Sequence, residues 1–566
     1  MTGILLFLLA FSPVQPLPGK HAPVDQEKGT RHRVTSVHHE RGSHSYTIVD
    51  AIQNYLNRAS RQQIQKGGGQ FKLNSQLYRF YASRHFQTVW TKPAMVSELL
   101  AAIEAIPEDG LDPADYHIRE IKELVSRFPL SVEQQAQYDL LLSDAFLTLA
   151  SHLHFGKVDP EKLEPTWNLG DSESHAALET KLQHAIAAEH VSMILQELRP
   201  KNSKYGELKR GLARYREIAA SGGWPAVPQG PKLQEGDKDS RVKFLRKRLE
   251  VTGELVVSTP DSSNVYKGEL VEAVRQFQKH NGINADGVVG NATLKALNVP
   301  VERRIEQIGI NLERYRWFLG DIGSTYIMVN IPDFTLQYVE NGQNRWKTRV
   351  IVGKPYRETP IFKADMQYII FNPQWVIPPT ILDKDALPEI RKSMSYLDKK
   401  KLRIFDKDGK AVDPASVNWA QYSGKNFPYR LQQTAGDHGS LGRIKFMLPN
   451  KYIVYLHDTP SKELFDKNVR TFSSGCIRVE HPFDLAQIVL RDSVKWSASR
   501  IQAAINTGKT STVFLPKRIP VFILYMTAVP EGDELFFPED VYGRDDALLK
   551  ALNLHVPELK PSDLAL

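Results

Sequence analysis

Apolar residues change their spacing partway along this chain, and the change commits it to more than one kind of domain. From about Tyr46 to Ala220 they recur at helical spacing. Over residues 138–150 they run almost all round the helix, which predicts a helix buried within its own domain. Residues 221–231 form a Gly/Pro linker. Beyond it Val242, Leu245 and Leu249 share one helix face, and Val271, Val274 and Phe277 share another. Asn291 is placed to cap a short third helix carrying Leu294 and Leu297. From about Ile305 short β-rich runs take over, including residues 326–331, 335–339 and 452–456, with a hairpin turn at 340–343. A long interruption at about 378–429 contains a helical stretch after Pro379, and an insertion of this length in a β domain suggests a lid. Beyond Pro516, residues 519–526 read as a further strand and 545–552 as a short helix.

A chain of 566 residues with 41% apolar and 24% charged residues is long enough for several cores of ordinary globular balance. The fold class expected is multidomain α+β. Residues 46–222 form a helical scaffold and 232–299 a three-helix unit. Residues 305–516 form a mostly-β domain with the lid insertion, and 517–566 an extension packing on that domain or on the scaffold. At the N-terminus, residues 3–11 form an apolar run of signal-peptide length, broken by 12–18, so residues 1–18 predict export and a place for a membrane anchor. Residues 19–45 read as a polar linker, with His32, His38, His39 and His44 solvated. The net charge of +8 is mild and calls for no nucleic-acid partner.

There is one cysteine, Cys476, so no intramolecular disulfide is available. It stands in Ser473-Ser474-Gly475-Cys476-Ile477-Arg478, a polar, turn-forming approach that places it in a loop before the helix starting at His481-Pro482. His457, at the end of the apolar run 452–456, is the histidine a strand can deliver to it. His438 sits in a glycine-flanked loop, and His481 is better explained at a helix start. A thiol with a nearby base is a covalent nucleophile. Gly475 permits a tight turn, and the Gly475 and Cys476 amides are candidate oxyanion donors. Arg478 is a candidate for a substrate carboxylate or acyl oxygen. Tyr455 shares the face of His457, and Trp375 and Asn372, in Asn372-Pro373-Gln374-Trp375, are candidate substrate contacts, as are Ser473 and Ser474.

Two stretches resemble known families. Ala273-Val274-Arg275-Gln276-Phe277-Gln278, Asp286-Gly287-Val288-Val289-Gly290 and Thr293 are similar to the type 1 peptidoglycan-binding domain. His457, Gly475, Cys476 and Arg478 resemble the motif of the L,D-transpeptidase (YkuD) catalytic domain. Ser474 stands where most members have a second histidine, as in the long Gram-negative YcbB-type enzymes, which residues 441–460 and the domain order also resemble. The resemblance implies a cysteine acyltransferase. Cys476 attacks the carbonyl between the L- and D-centres of a donor tetrapeptide stem, His457 passes a proton to the leaving D-Ala, and an acceptor amine resolves the thioester into a 3→3 cross-link. The adjacent Asp458 points the other way along a strand, so a backbone carbonyl is the expected orienting partner of His457. The expected partner is peptidoglycan, together with other cell-wall synthesis enzymes, in the periplasm, with no cofactor and no metal. The alternatives are a non-catalytic wall-binding scaffold, or an enzyme of the same fold using water or a lipoprotein lysine as acceptor.

Overall fold

The computed structural model describes residues 45–65, 72–169, 177–256, 262–317, 322–491 and 495–554. The N-terminal apolar run and the four linker histidines lie outside the described residues. In the helical region, Val132–Phe155 is the central helix. Ser131 starts it with a reciprocal capping box to Gln134, and residues 139–150 are buried throughout. Its one buried acid at the Tyr81 side, Asp139, accepts the Val89 and Trp90 amides and the Tyr81 hydroxyl, so a core carboxylate organises the turn packed against it.

The three-helix unit comprises Val242–Thr252, Glu269–His280 and Asn291–Leu297. Its sequence marks bond to one another. Gln278 Nε2 donates to Asp286 Oδ1, Val288 O and Thr293 Oγ1, and Gln278 Oε1 accepts the Gly287 amide. Gly290, not Asn291, occupies the cap position, and no side chain caps that helix. The Gly/Pro linker is pinned rather than free. Trp224 Nε1 donates to Val299 O, and the Arg248 guanidinium lies 3.8 Å from the Trp224 ring centroid.

The strand pattern begins later than Ile305, because Val301–Trp317 is a helix with both a buried Glu313 and a buried Arg316. Nine strands of one sheet come after it among the described residues: β1 Tyr326–Asn330, β2 Thr335–Glu340, β3 Gln343–Gly353, β4 Phe362–Phe371, β5 Ile444–Met447, β6 Leu456–His457, β7 Thr471–Ser473, β8 Ile477–Val479 and β9 Ser511–Leu524. Their order is β7-β3-β8-β6-β5-β4-β9-β1-β2. The long β3 also pairs with β2, which closes all but β7 into a ring around an apolar core.

Two boundaries need correction. Residues 517–524 are not an extension but half of β9, which pairs along β4 and β1 in the middle of the sheet. Pro516 reads as a break, but a register shift between Phe514 and Ile519 absorbs it. The insertion is not simply helical. It spans Trp375 to Gln433 and combines the helical run from Pro379 to Lys392 with a four-stranded sheet, around its own core of Leu387, Ile390, Ile404, Trp419 and Leu431.

The chain beyond β9 touches every domain. The Phe537 amide donates to His280 O of the three-helix unit at 2.6 Å, and His280 itself lies between Glu254 and Glu534 at 3.3 Å from each. Arg314 of the Val301–Trp317 helix pairs with Asp545, and Arg544 bridges Glu164 of the helical region to Glu358 beside β3. Among the described residues, no helix is long and apolar enough to cross a membrane.

Candidate active site

Strand register assembles the site. His457 of β6 pairs with Lys445 of β5 on one side and with Arg478 of β8 on the other. Directly paired residues share a sheet face, so Lys445, His457 and Arg478 form one row across three strands. One pleat back along the same face stand Cys476, ahead of β8, and Tyr455, ahead of β6. The alternation is visible in burial: Ile444, Phe446, Ile477 and Val479 fill the core, while Lys445, Met447, Cys476 and Arg478 are half-buried on the other face.

The thiol is enclosed although part of the residue reaches the surface. It donates to Ile453 O at 3.7 Å and accepts from the backbone and hydroxyl of Tyr455. Burial raises its pKa, against the pull of Lys445 and Arg478. Ile453 is 68% exposed and holds φ +59°, a strained conformation for a β-branched residue. Asn450 braces that turn, its Oδ1 accepting the Tyr452 and Val454 amides. Burial pushes the Tyr455 phenol far above its usual range, so it remains a proton donor.

His457 Nδ1 donates to Asp458 O at 2.5 Å, which leaves Nε2 as the free lone pair. The Asp458 carboxylate turns away to the Thr459 and Arg443 amides and Lys462 Nζ. Burial, with Arg478 adding to it, drops the His457 pKa to about 3. The resting site is therefore a neutral thiol and a neutral imidazole rather than a thiolate–imidazolium pair. Among the described hydrogen bonds, none joins the sulfur to the ring.

The loop before the thiol is tied from below. Ser473 Oγ donates to Cys476 O at 2.5 Å and accepts the Gly475 amide at 3.1 Å. The Gly475 amide is thus occupied, which removes it from the expected oxyanion pair, and Ser473 is a loop brace rather than a substrate contact. Gly475 has φ +110°, which a side chain would oppose. Its carbonyl accepts from Thr359 Oγ1 at 2.9 Å. Ser474 is exposed and accepts from Arg357, which also grips Asp385 of the insertion at 2.5 and 2.8 Å.

Asn372 does not face the site. It is fully buried at φ +48°, its Nδ2 donating to Ala504, Ile505 and Lys509 carbonyls and its Oδ1 accepting from Arg443. Trp375 does reach the site, hydrogen-bonding to the Tyr455 hydroxyl from the first strand of the insertion. Arg478 has a buried Nε without a hydrogen-bond partner, and burial lowers its pKa. Sequence reasoning passed over Lys445, Thr359 and Arg357. The alternation Arg443-Ile444-Lys445-Phe446-Met447 was the available signal for Lys445, whereas nothing local marks Thr359 or Arg357.

Three family models match the chain, one of them over this closed, mostly-β frame. They match a scaffold domain at residues 75–212, a domain described as "Putative peptidoglycan binding domain" at 238–297, and the L,D-transpeptidase catalytic domain at 324–514. The chain therefore carries an L,D-transpeptidase catalytic domain behind scaffold and peptidoglycan-binding domains. It is 38% identical over 240 residues to the Haemophilus influenzae protein named "Putative L,D-transpeptidase". That match covers 42% of this chain and 48% of the relative, so the chain spans about half the length of that curated protein. A segment of 70 residues is 43% identical to N-acetylmuramoyl-L-alanine amidase CwlL of Bacillus licheniformis, covering 12% of this chain and 19% of that one. The crystal structure of an L,D-transpeptidase from Xylanimonas cellulosilytica matches at 14% identity and a TM-score of 0.16, covering 52% of this chain and 99% of that one, a likeness too slight to carry an argument.

Proposed function

We propose that the chain is a peptidoglycan L,D-transpeptidase that forms 3→3 cross-links between stem peptides through a thioester on Cys476. The observation that carries this is the register: Arg478 of β8 pairs with His457 of β6, and Cys476 ends the loop that leads into β8 two residues before Arg478. The donor stem enters under the insertion, and Sγ leaves the Ile453 carbonyl to attack. His457 Nε2 takes the thiol proton as the S–C bond forms, and the carbonyl electron pair moves onto oxygen. Arg478, the Cys476 amide and the Tyr455 hydroxyl are the donors nearest that charge; each donor in such a hole contributes about 3 kcal/mol. The tetrahedral carbon then expels the terminal residue, whose amine receives the proton from His457. An acceptor amine attacks the thioester, loses its proton to His457, and displaces the sulfur, which takes that proton from His457 as it leaves and becomes the thiol again.

The Nδ1–H bond to Asp458 O holds the reactive tautomer through both halves of this cycle. The peptidoglycan-binding unit keeps the chain on its polymeric substrate, outside the cytoplasm and, in a Gram-negative cell, in the periplasm. Incubation with disaccharide-tetrapeptide is expected to release D-Ala and yield dimers by mass spectrometry, and Cys476→Ala to lose both. Hydrolysed stems alone, or transfer only to a lipoprotein lysine, would identify the other acceptors. Absence of D-Ala release, and of a carbapenem mass adduct on Cys476, would reduce the chain to a wall-binding scaffold.

A further inference from the structure

Most cations around this site are matched by a carboxylate. Arg443 pairs with Asp437, Lys462 with Asp458, Arg357 with Asp385, and Arg349 with Glu480 and Asp466. Lys445 and Arg478 are different: among the described residues neither makes an ion pair. Lys445 Nζ rests 3.7 Å from the Tyr455 ring centroid, on the sheet face that also carries His457 and Arg478. The Arg478 Nε is buried with no acceptor, and among the described residues no carboxylate stands at ion-pair distance from that guanidinium. Half-buried cations without counter-charge are costly, so their retention beside a thiol points to an anion that arrives with the ligand.

The strand order says which anion each takes. The attacked carbonyl must lie over the β8 side, where Cys476 stands. The departing nitrogen must lie over β6, within reach of His457. A terminal leaving residue carries its carboxylate two bonds beyond that nitrogen, away from the carbonyl, which places it over β5 and Lys445. Neighbouring strands are about 4.8 Å apart, a step that suits this spacing. Resting on the acyl-transfer reading above, we propose that Lys445 binds the free carboxylate of the donor's leaving residue and so selects donors by their unblocked C-terminus, while Arg478 serves the carbonyl oxygen.

The test compares two donor stem peptides, one ending in a free carboxylate and one in a carboxamide, by release of the terminal residue from the full chain. Wild type is expected to prefer the carboxylate donor in kcat/KM by at least about tenfold, as befits a charge-assisted hydrogen bond. In Lys445→Gln the preference falls to about one, and in Lys445→Arg most of it is kept. The rate of Cys476 alkylation by iodoacetamide, which needs no peptide, is read in parallel. An equal loss on both donors together with slowed alkylation would assign Lys445 to the thiolate and overturn the proposal. So would a wild type indifferent to the carboxamide. Failure of wild type to turn over either donor, with the thiol still alkylated, would remove the acyl-transfer reading itself and the proposal with it.

Discussion

A buried histidine that stays neutral has a cost that appears with acid. His457 has a pKa of about 3 in the fold, and His152, buried in the helical region against Tyr116, is held at about 3 by burial as well. An unfolded histidine titrates near 6.5. Between those values the unfolded chain binds protons that the folded chain refuses. Stability from each histidine is therefore complete above pH 6.5 and is lost progressively as pH falls toward 3. Urea unfolding is expected to show a loss on the order of 2 kcal/mol per histidine between pH 7 and 5. His457→Gln should flatten that slope, and an unchanged slope would mean the ring is not held neutral. A second residue-scale test concerns Gly442, at φ +58°. A Cβ there would meet the Asp458 carboxyl at 2.3 Å. Gly442→Ala is expected to displace the Asp458 peptide that holds His457 Nδ1, lowering kcat more than tenfold on the acyl-transfer reading while helical circular dichroism is retained.

The site was legible through single residues rather than through its strands: Cys476 is the one cysteine and stands in a turn-forming loop, His457 ends the apolar run 452–456, and Arg478 follows the cysteine at motif spacing. The strands at 444–447 and 477–479 were not read, because runs of three or four residues are too short for a period of two to stand out, and of the run 452–456 only Leu456 is in a strand. The insertion's sheet was not legible, since Trp375–Val376 and Ala411–Val412 are too short to show any period. Asn372 was misplaced because a buried polar side chain that binds three carbonyls looks, in sequence, like one that binds a ligand. The support beneath the Cys476 loop was hidden too, because it is made by distant residues. Thr359 Oγ1 joins Gly353 N to Gly475 O at 2.9 Å each, and Tyr542 OH, donating to Gly353 O at 2.7 Å, accepts the Thr359 amide at 3.2 Å. Thr359→Val keeps the shape but strands two backbone groups, at about 1–3 kcal/mol. Release of the terminal residue should show kcat down about tenfold with KM within about twofold, and Thr359→Ser should recover it. A change in KM alone would mean the loop does not depend on this bond.

At the scale of the whole molecule, the helix Val301–Trp317 packs on the sheet core through its apolar residues and is held to the scaffold by buried charges. Arg316 and Glu313 are paired at 2.6 Å, and both side chains are wholly buried. Glu313 also accepts the Val158 amide at 2.7 Å and Trp317 Nε1 at 3.1 Å. Arg316 donates to Asp109 O at 2.8 Å and to Tyr205 OH at 2.9 Å, and both of those residues belong to the helical region. A polar interior of this kind stabilises little by itself, but removing one partner leaves the other charge buried and unmatched. Glu313→Gln sets an amide NH2 against the guanidinium and is expected to cost about 3 kcal/mol. Because Glu313 holds Val158 of the helical region to a helix that itself packs on the sheet core, the loss should be shared between that region and the sheet. Urea unfolding followed by helical circular dichroism, dominated by the scaffold, and by hydrogen exchange of the β4 and β9 amides should move to lower denaturant together. If the scaffold signal shifts while the sheet amides keep their wild-type protection, the two domains are independently stable and the buried pair serves only the helix that carries it.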